Sequence, residues 1–359
     1  MNKNSRPILG VIIAILIIVV VAVSANRPAD EKIIKIGLIA PLSGPGEVFG
    51  KSVANAIALA EDDLKDTKYK YELLIEDDGT NPAQSASAAH KLIVVEKVQA
   101  LISMTSGTGN AVKPIATANK VPNICVCSDI SVADGAYNFT NLILPDDEAR
   151  GWLVEAQKRG IKSIAILHQN QQGINAIVAS IEELAPVYGI TVTFNQQFDP
   201  TVRDFKTVIA QAAVTKPDLY YVVSFPPSLD IIGQQLSDFG ITNISASATF
   251  GISAKPELFE GKWYNDANVA DLAFRTRFED RFPGIRFNVR SAPFGYDSFM
   301  MLVNGFEKGG NINQYLSSLT SFDGKAGKIT KSNGSRSFHS EPALWIIKDG
   351  KSEPLYPRP

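Results

Sequence analysis

A glycine-rich loop carries the residues best suited to bind a small molecule. The loop, PLSGPGEVFG (41–50), follows the apolar run IIKIGLIA and continues as KS, like a phosphate-binding loop. The Walker A motif requires four residues between its glycines, but Gly44 and Gly50 enclose five, and Gly46 and Gly50 enclose three. The dinucleotide fingerprint also fails, because GPGEVFG is one residue too long. We therefore predict that the loop brings backbone amides and the Phe49 ring to a ligand other than a nucleotide.

A second loop, TSGTGN (105–110), offers hydroxyl groups and backbone amides just before a predicted helix. Ser106, Gly107 and Thr108 are candidate ligand contacts there, because free amides at a helix amino terminus favour a carboxylate or another small anion. The same residues also fit a helix start that is capped by Thr108 or Ser106. The two interpretations are compatible.

Alternating apolar and amphipathic segments must position these loops. Apolar runs lie at 33–40, 71–76, 100–104 and 121–126, and again at 163–169, 190–195, 218–224 and 243–248. Helical patterns separate them at 51–65, 83–97 and 110–119, and then at 172–187, 203–214 and 228–239. This order predicts an α/β fold with parallel central sheets covered on both faces. The segment NLILPDDEARG (141–151) interrupts the rhythm, so we predict two lobes.

The amino-terminal region predicts export. The apolar run at 8–23 follows Lys3 and Arg6, which is the charge order of a signal whose amino end stays inside. Small residues in VSAN (23–26) fit a signal peptidase site, whereas the length of the run favours a retained anchor. We predict a cytoplasmic tail at 1–7, an N-terminal hydrophobic helix at 8–25 as signal anchor or signal peptide, and a linker at 26–32. The protein is expected on the outer face of the cytoplasmic membrane, or in the periplasm if the signal is cleaved.

Composition and motifs argue against several functions. The 359 residues carry a net charge of −2, so no basic excess supports nucleic-acid binding. The sequence has no GxSxG or HExxH motif and only three scattered histidines, so we predict no enzyme activity, metal or cofactor. Cys125 and Cys127 lie on one face of a predicted strand, too far apart for easy bridging, and are expected to be small core residues.

Several stretches, by their order and spacing, resemble the periplasmic binding proteins of the branched-chain amino acid type, which are receptors of ABC importers. They are IKIGLIAPLSGPGEVFGKSVANAIALA, EDDGTNPAQSASAAHKLI, SMTSGTGNAVKPIA, and YDSFMMLVNGFEKGG with FDGKAGKIT. The resemblance covers nearly the whole chain after the apolar segment. It implies two Rossmann-like lobes, joined by three hinge crossovers, that close on a ligand. The lobes are expected at 33–145 plus about 266–330, and at 146–265 plus about 331–359.

The resemblance also implies ligand contacts in the first lobe. Ser106 matches the serine that binds the ligand carboxylate in this family, and Phe49 matches an aromatic side chain that covers the ligand. The next loop, CSDIS, adds Ser128, Asp129 and Ser131 as candidates. Asp129 either meets a cation on the ligand or caps a turn.

Two further positions are candidates near the crossovers. Asp147, in LPDDEARG, matches an acid near the first crossover, and it fits equally well as a cap for the following helix. Phe294 and Tyr296, in APFGYDSF, precede a helix at a loop that faces the cleft in this family, so one of them is a candidate ligand contact.

The second lobe departs from the amino-acid receptors. Their tyrosine and glutamate, which hold the ligand ammonium group, align with Phe225 and Thr249. A buried ammonium without a carboxylate partner loses a charged hydrogen bond that is worth several kcal/mol. The ligand is therefore not expected to be an α-amino acid, unless Asp129, Asp147 or Asp230 supplies the missing charge.

The leading hypothesis is a receptor for a small polar organic ligand, either amino-acid-like or an amide or carboxylate. It would close on the ligand and deliver it to ABC permease and ATPase subunits encoded elsewhere. The alternative is a ligand-sensing ectodomain that signals through a membrane partner. An exported hydrolase is a third hypothesis, without a supporting motif.

Overall fold

The computed structural model describes residues 32–133, 136–269 and 271–356. The hydrophobic helix predicted at 8–25 lies outside these ranges. Within them, no helix combines the length and the apolar character needed to cross a bilayer.

Two central sheets form the frame of the molecule. The strands are β1 (Ile33–Ala40), β2 (Lys70–Asp77), β3 (Ala100–Met104), β4 (Asn123–Val126), β5 (Asn138–Asn141), β6 (Ser163–Gln169), β7 (Thr191–Phe198), β8 (Leu219–Val223), β9 (Ile244–Ser247), β10 (Trp263–Ala267), β11 (Ser321–Gly324), β12 (Gly327–Thr330), β13 (Ser337–Phe338), β14 (Pro342–Lys348) and β15 (Lys351–Pro354). The first sheet has the order β13-β5-β4-β3-β1-β2 and is parallel throughout. The second has the order β15-β14-β10-β9-β8-β6-β7, with β14 antiparallel to both of its neighbours.

Helices cover both sheets, as buried parallel strands require. They are α1 (Glu47–Asp62), α2 (Pro82–His90), α3 (Ser106–Asn119), α4 (Pro145–Lys158), α5 (Gln172–Leu184), α6 (Lys206–Val214), α7 (Ser228–Asp238), α8 (Leu272–Arg281), α9 (Ala292–Glu307) and α10 (Ile312–Ser318). α1 buries an apolar stripe that includes Val53 and Ile57, and it packs against α9. Every residue of β3 and β4 is buried.

The chain passes between the two lobes three times, after Asn141, after Ala267 and after Phe338. The predicted α/β fold, with two lobes built on parallel sheets and joined by three crossovers, is therefore confirmed. β13 differs from the expected boundary, because Ser337 and Phe338 pair with β5 of the first sheet and not with the second lobe. A strand of two residues has no periodicity that a sequence pattern can reveal.

The two cysteines are buried in the core, as predicted, but the expectation that they do not bridge is wrong, because Cys125 and Cys127 form a disulfide. Their Cα atoms are 5.4 Å apart, which is within the usual range for a disulfide. The cause is local: β4 ends at Val126, so Cys127 lies beyond the regular strand and is not held at extended spacing.

Candidate ligand-binding cleft

A small cavity lies between the lobes, at the carboxyl ends of the parallel strands, where ligands of such sheets bind. About 60 Å³ is open to the centres of water-sized molecules, which is well above the roughly 10–15 Å³ needed to hold one water. The first lobe and first crossover contribute Phe49, Met104, Thr105, Ser106, Val126, Cys127, Ser128, Leu142 and Arg290. The second lobe contributes Gln171, Gly173, Ile174, Ile177, Val223, Phe225, Ala248 and Thr249. A compact ligand fits this space better than a peptide or oligosaccharide does.

The two lobes touch across the cavity. The rings of Phe49 and Phe225 have centroids 5.4 Å apart. Nearby, the Asn110 side-chain amide donates a hydrogen bond of 3.0 Å to Oε1 of Gln172. The structure therefore describes a closed arrangement of the cleft.

The turn from β3 into α3 forms the polar wall of the first lobe. Thr105 has a φ of +78°, in the left-handed region that few residues other than glycine adopt. Strain of this kind concentrates at functional sites. Next to it, Oγ of Ser106 accepts a hydrogen bond of 3.2 Å from the Asp129 amide. The Ser106 hydroxyl proton is therefore available for a ligand oxygen at the amino end of α3.

The wall of the second lobe is mostly apolar, and a buried side chain fixes its aromatic residue. Oε1 of Gln169 accepts hydrogen bonds of 2.9 Å from the Ser224 hydroxyl and 2.9 Å from the Phe225 amide. These bonds set the backbone from which the Phe225 ring reaches Phe49.

Apart from Gln171, Thr249 is the polar residue on this wall. Its side chain is 1% exposed, and its hydroxyl oxygen has no hydrogen-bond partner among the described residues. Buried hydroxyl groups are normally paired, so an unpaired one that lines a cavity points to a ligand group. A hydroxyl can donate or accept, so it suits a neutral polar group.

Arg290 belongs to a buried ion cluster at the base of the cleft. Its Nη2 donates to Oε1 of Glu148 at 2.6 Å, and its Nε donates to Oδ1 of Asp266 at 2.9 Å. Burial raises the pKa of Asp266 to about 7, against the opposing effect of the Arg290 charge, and Glu148 adds to the increase. The guanidinium thus lies between two acidic side chains, of which Asp266 holds a proton below about pH 7, and no positive charge is left free for a ligand. Arg290 connects the first lobe to the starts of the first two crossovers.

The structure brings five of the predicted site residues together at the cavity. They are Phe49, Ser106, Ser128, Phe225 and Thr249. It places six elsewhere: Gly107, Thr108, Asp129, Ser131, Asp147 and Phe294. Residues of both groups lie side by side in TSGTGN and in CSDIS, whereas Asp147 and Phe294 belong to neither loop.

The six residues outside the cavity make contacts with other parts of the protein. Thr108 is buried and donates a hydrogen bond to Asp78, while Gly107 lies next to Pro82. Asp129 accepts from the Asn110 side chain at 3.0 Å and from the Ser131 amide at 2.9 Å, as the turn-cap interpretation expects.

Asp147 and Phe294 lie near the hinge and in the core, respectively. An oxygen of Asp147 is 3.2 Å from Nδ1 of His339, so this pair joins the first and third crossovers. Phe294 is fully buried in α9. Tyr296, its alternative, donates a hydrogen bond to Asp63, away from the cavity.

Sequence reasoning missed several lining residues, most notably Arg290, Gln171 and Ile174. Arg290 stands just before the APFGYDSF stretch, whose position at the cleft the resemblance implied. An arginine at this position could have been identified from the sequence as a candidate cleft residue. The start of α5, with Gln171 and Ile174, has no sequence feature that separates it from an ordinary helix start.

Comparison with known proteins establishes the family. Residues 33–339 match the periplasmic binding protein family, and the chain belongs to it. The Leu/Ile/Val-binding protein BraC3 of Rhizobium johnstonii is 26% identical over 240 residues, which are 64% of this chain and 63% of that protein. The match therefore spans less than two thirds of this relative.

Solved structures show the same fold. The leucine-binding protein LivK of Thermotoga maritima superimposes with a TM-score of 0.82 at 22% identity, covering 90% of this chain and 98% of that one. A solute-binding protein of an ABC transporter from Rhodopseudomonas palustris, in complex with 3,4-dihydroxybenzoic acid, gives 0.78 at 20% identity, covering 90% and 96%. One fold thus accommodates both an amino acid receptor and an aromatic acid receptor.

Proposed function

We propose that the protein is an extracytoplasmic solute receptor that closes on a small carboxylate with an apolar body and no α-ammonium group. The observation that carries the proposal is the cavity lining, in which the described residues include no Asp or Glu. Leaving a buried charge without its partner costs about 3–5 kcal/mol. An α-amino acid would incur this cost at its ammonium group, whereas the corresponding carboxylic acid would not.

We assign the ligand carboxylate to the first lobe. The Ser106 hydroxyl and the amino terminus of α3 are the donors, with Ser128 beside them. The apolar body packs against the Phe49–Phe225 ring pair, and the Thr249 hydroxyl binds a neutral polar group at the other end. The ligand of the Rhodopseudomonas palustris protein, a dihydroxybenzoic acid, combines these three features.

We further propose that the closed receptor delivers this ligand to the permease and ATPase subunits of an ABC importer. Similarity to a solute-binding protein of an ABC transporter supports this role. The apolar segment at 8–25 would keep the receptor on the outer face of the cytoplasmic membrane.

A matched pair of ligands tests the proposal. L-leucine and 4-methylpentanoate share one carbon skeleton and differ only in the amino group. Isothermal titration of the full-length protein in mild detergent should show that 4-methylpentanoate binds at least tenfold more tightly than leucine. 3,4-Dihydroxybenzoate should also bind. Equal or tighter binding of leucine would contradict the proposed ligand class and would require an acid that reaches the cavity.

A further inference from the structure

We propose a second ligand site, for a small organic anion with at least two negative charges, in a separate groove between the lobes. The groove offers about 440 Å³ to the centres of water-sized molecules, compared with about 60 Å³ in the cleft. It is next to the cleft in sequence, since Phe250 follows Thr249 and Val289 precedes Arg290. It shares no lining residue with the cleft.

The walls of the groove come from both lobes. The first lobe contributes α8 and the loop before α9, with Arg275, Glu279 and Arg286. The second lobe contributes the β14–β15 hairpin, including Lys351. A ligand in the groove would therefore contact both lobes at once.

The groove has positive charge that the described residues do not offset. Arg275 is compensated, because its Nε donates to Glu279 at 3.0 Å and its Nη1 is 3.7 Å from a carboxylate oxygen of Glu353. Arg286 and Lys351 form no ion pair with a described acidic residue. With three cations against two carboxylates, the groove keeps a net positive charge, and its two cations without an ion pair come from opposite lobes.

A backbone hydrogen bond orients the Arg286 side chain and leaves it able to bind an anion. Its Nη1 donates to the backbone carbonyl of Ser253, in the second lobe, at 2.5 Å. Carbonyl groups orient the guanidinium without neutralising it, and its remaining N–H groups stay available for a carboxylate or phosphate. The apolar side chains of Phe287 and Ile347 line the groove and suit the carbon part of an organic anion.

Citrate and pyrophosphate are suitable probes, because they carry similar negative charge. Comparing them distinguishes a preference for a polycarboxylate from a preference for a phosphate compound. The full-length protein is titrated with each probe, without any cleft ligand, against sodium chloride at matched ionic strength. We expect at least one probe to raise the melting temperature by about 2–4 °C beyond the chloride control. Because no cleft ligand is present, the result does not depend on the proposed function.

Charge-removal variants assign the effect to the groove. Lys351→Ala and Arg286→Ala should each remove most of the probe-specific shift. Lys348→Ala removes an exposed lysine that lies opposite Lys351 in the same hairpin and outside the groove, so it should keep the full shift. A shift that chloride reproduces, or one that persists in the Arg286→Ala/Lys351→Ala double variant, would overturn the proposal.

Discussion

Ser106 is the residue on which the proposed carboxylate site depends most. Its hydroxyl accepts from the Asp129 amide and retains its proton for the ligand. We expect Ser106→Ala to weaken ligand binding about 10- to 100-fold, because a hydrogen bond to a charged group is worth about 1.5–3 kcal/mol. Titration calorimetry with 4-methylpentanoate measures this change.

Ser131→Ala is the matched control for that variant. Ser131 lies on the surface, outside the cavity, so its hydroxyl should contribute nothing to binding. An unchanged dissociation constant in Ser106→Ala would remove Ser106 from the site. A loss in both variants would indicate damage to the loop rather than loss of a contact.

Gln169 acts through another residue, by holding Phe225 in place. Gln169→Leu removes the acceptor for the Ser224 hydroxyl and the Phe225 amide, and we expect it to weaken ligand binding several-fold. Gln169→Glu keeps an acceptor oxygen and should restore most of the affinity. Equal losses in both variants would show that Phe225 does not depend on this acceptor.

The sequence predicted the loops of the site better than the side chains within them. TSGTGN and CSDIS both reach the cleft, yet only Ser106 and Ser128 among their predicted residues line it. An α-helix turns by about 100° per residue, so Thr108 points away from the side that Ser106 occupies and meets Asp78. Which side of α3 points into the cleft depends on how the helix packs against the sheet. A short sequence motif does not contain this information.

At the scale of elements, the start of α5 controls how closely the lobes approach. A Cβ on Gly173 would lie 3.0 Å from Oγ of Ser106, across the cleft. We expect Gly173→Ala to impair closure and weaken ligand binding, because the Ser106 hydroxyl would have to shift by a few tenths of an ångström to admit the added methyl group. Small-angle scattering with and without ligand should then show a smaller compaction than in the wild type.

Gly107→Ala provides the comparison for that prediction. Its added Cβ would approach only Pro82, at an ordinary distance of 3.7 Å, so closure and affinity should stay near wild type. If Gly173→Ala closed and bound normally, contact between α5 and the turn before α3 would not limit closure.

Long, strongly patterned elements were predictable, whereas short connecting ones were not. The buried parallel strands such as β3 and β8 appear where apolar runs predicted them, because burial on both faces demands continuous apolar sequence. β13 and the Cys125–Cys127 disulfide escaped prediction. Both depend on where a strand ends, and strand ends are set by tertiary pairing more than by local sequence.

At the scale of the whole molecule, the buried ion cluster should make stability depend on pH. The folded protein raises the pKa of Asp266 to about 7 from an ordinary value of 3.8, so it retains a proton that the unfolded chain releases. The contribution of Asp266 to the unfolding free energy is therefore greatest below about pH 4. It falls as the pH rises to about 7, by about 1.4 kcal/mol per pH unit within that window.

Asp266→Asn should remove this contribution while keeping an oxygen that accepts from Arg290. Urea unfolding at pH 5 and pH 8 should show a smaller loss of stability in the variant than in the wild type. Identical losses in the two proteins would mean that Asp266 is ionised at both pH values in the folded state.

The position of β13 has a consequence for the order in which the protein matures during synthesis and export. The first sheet gains its edge strand only when Ser337 and Phe338 emerge, after all of the second lobe except β14 and β15. Neither sheet is complete before its last strand, β13 in the first sheet and β15 in the second, has emerged. A chain that passes through a translocation channel from its amino end would therefore complete its two sheets late. Late completion is what a protein needs if it must cross the membrane before it folds.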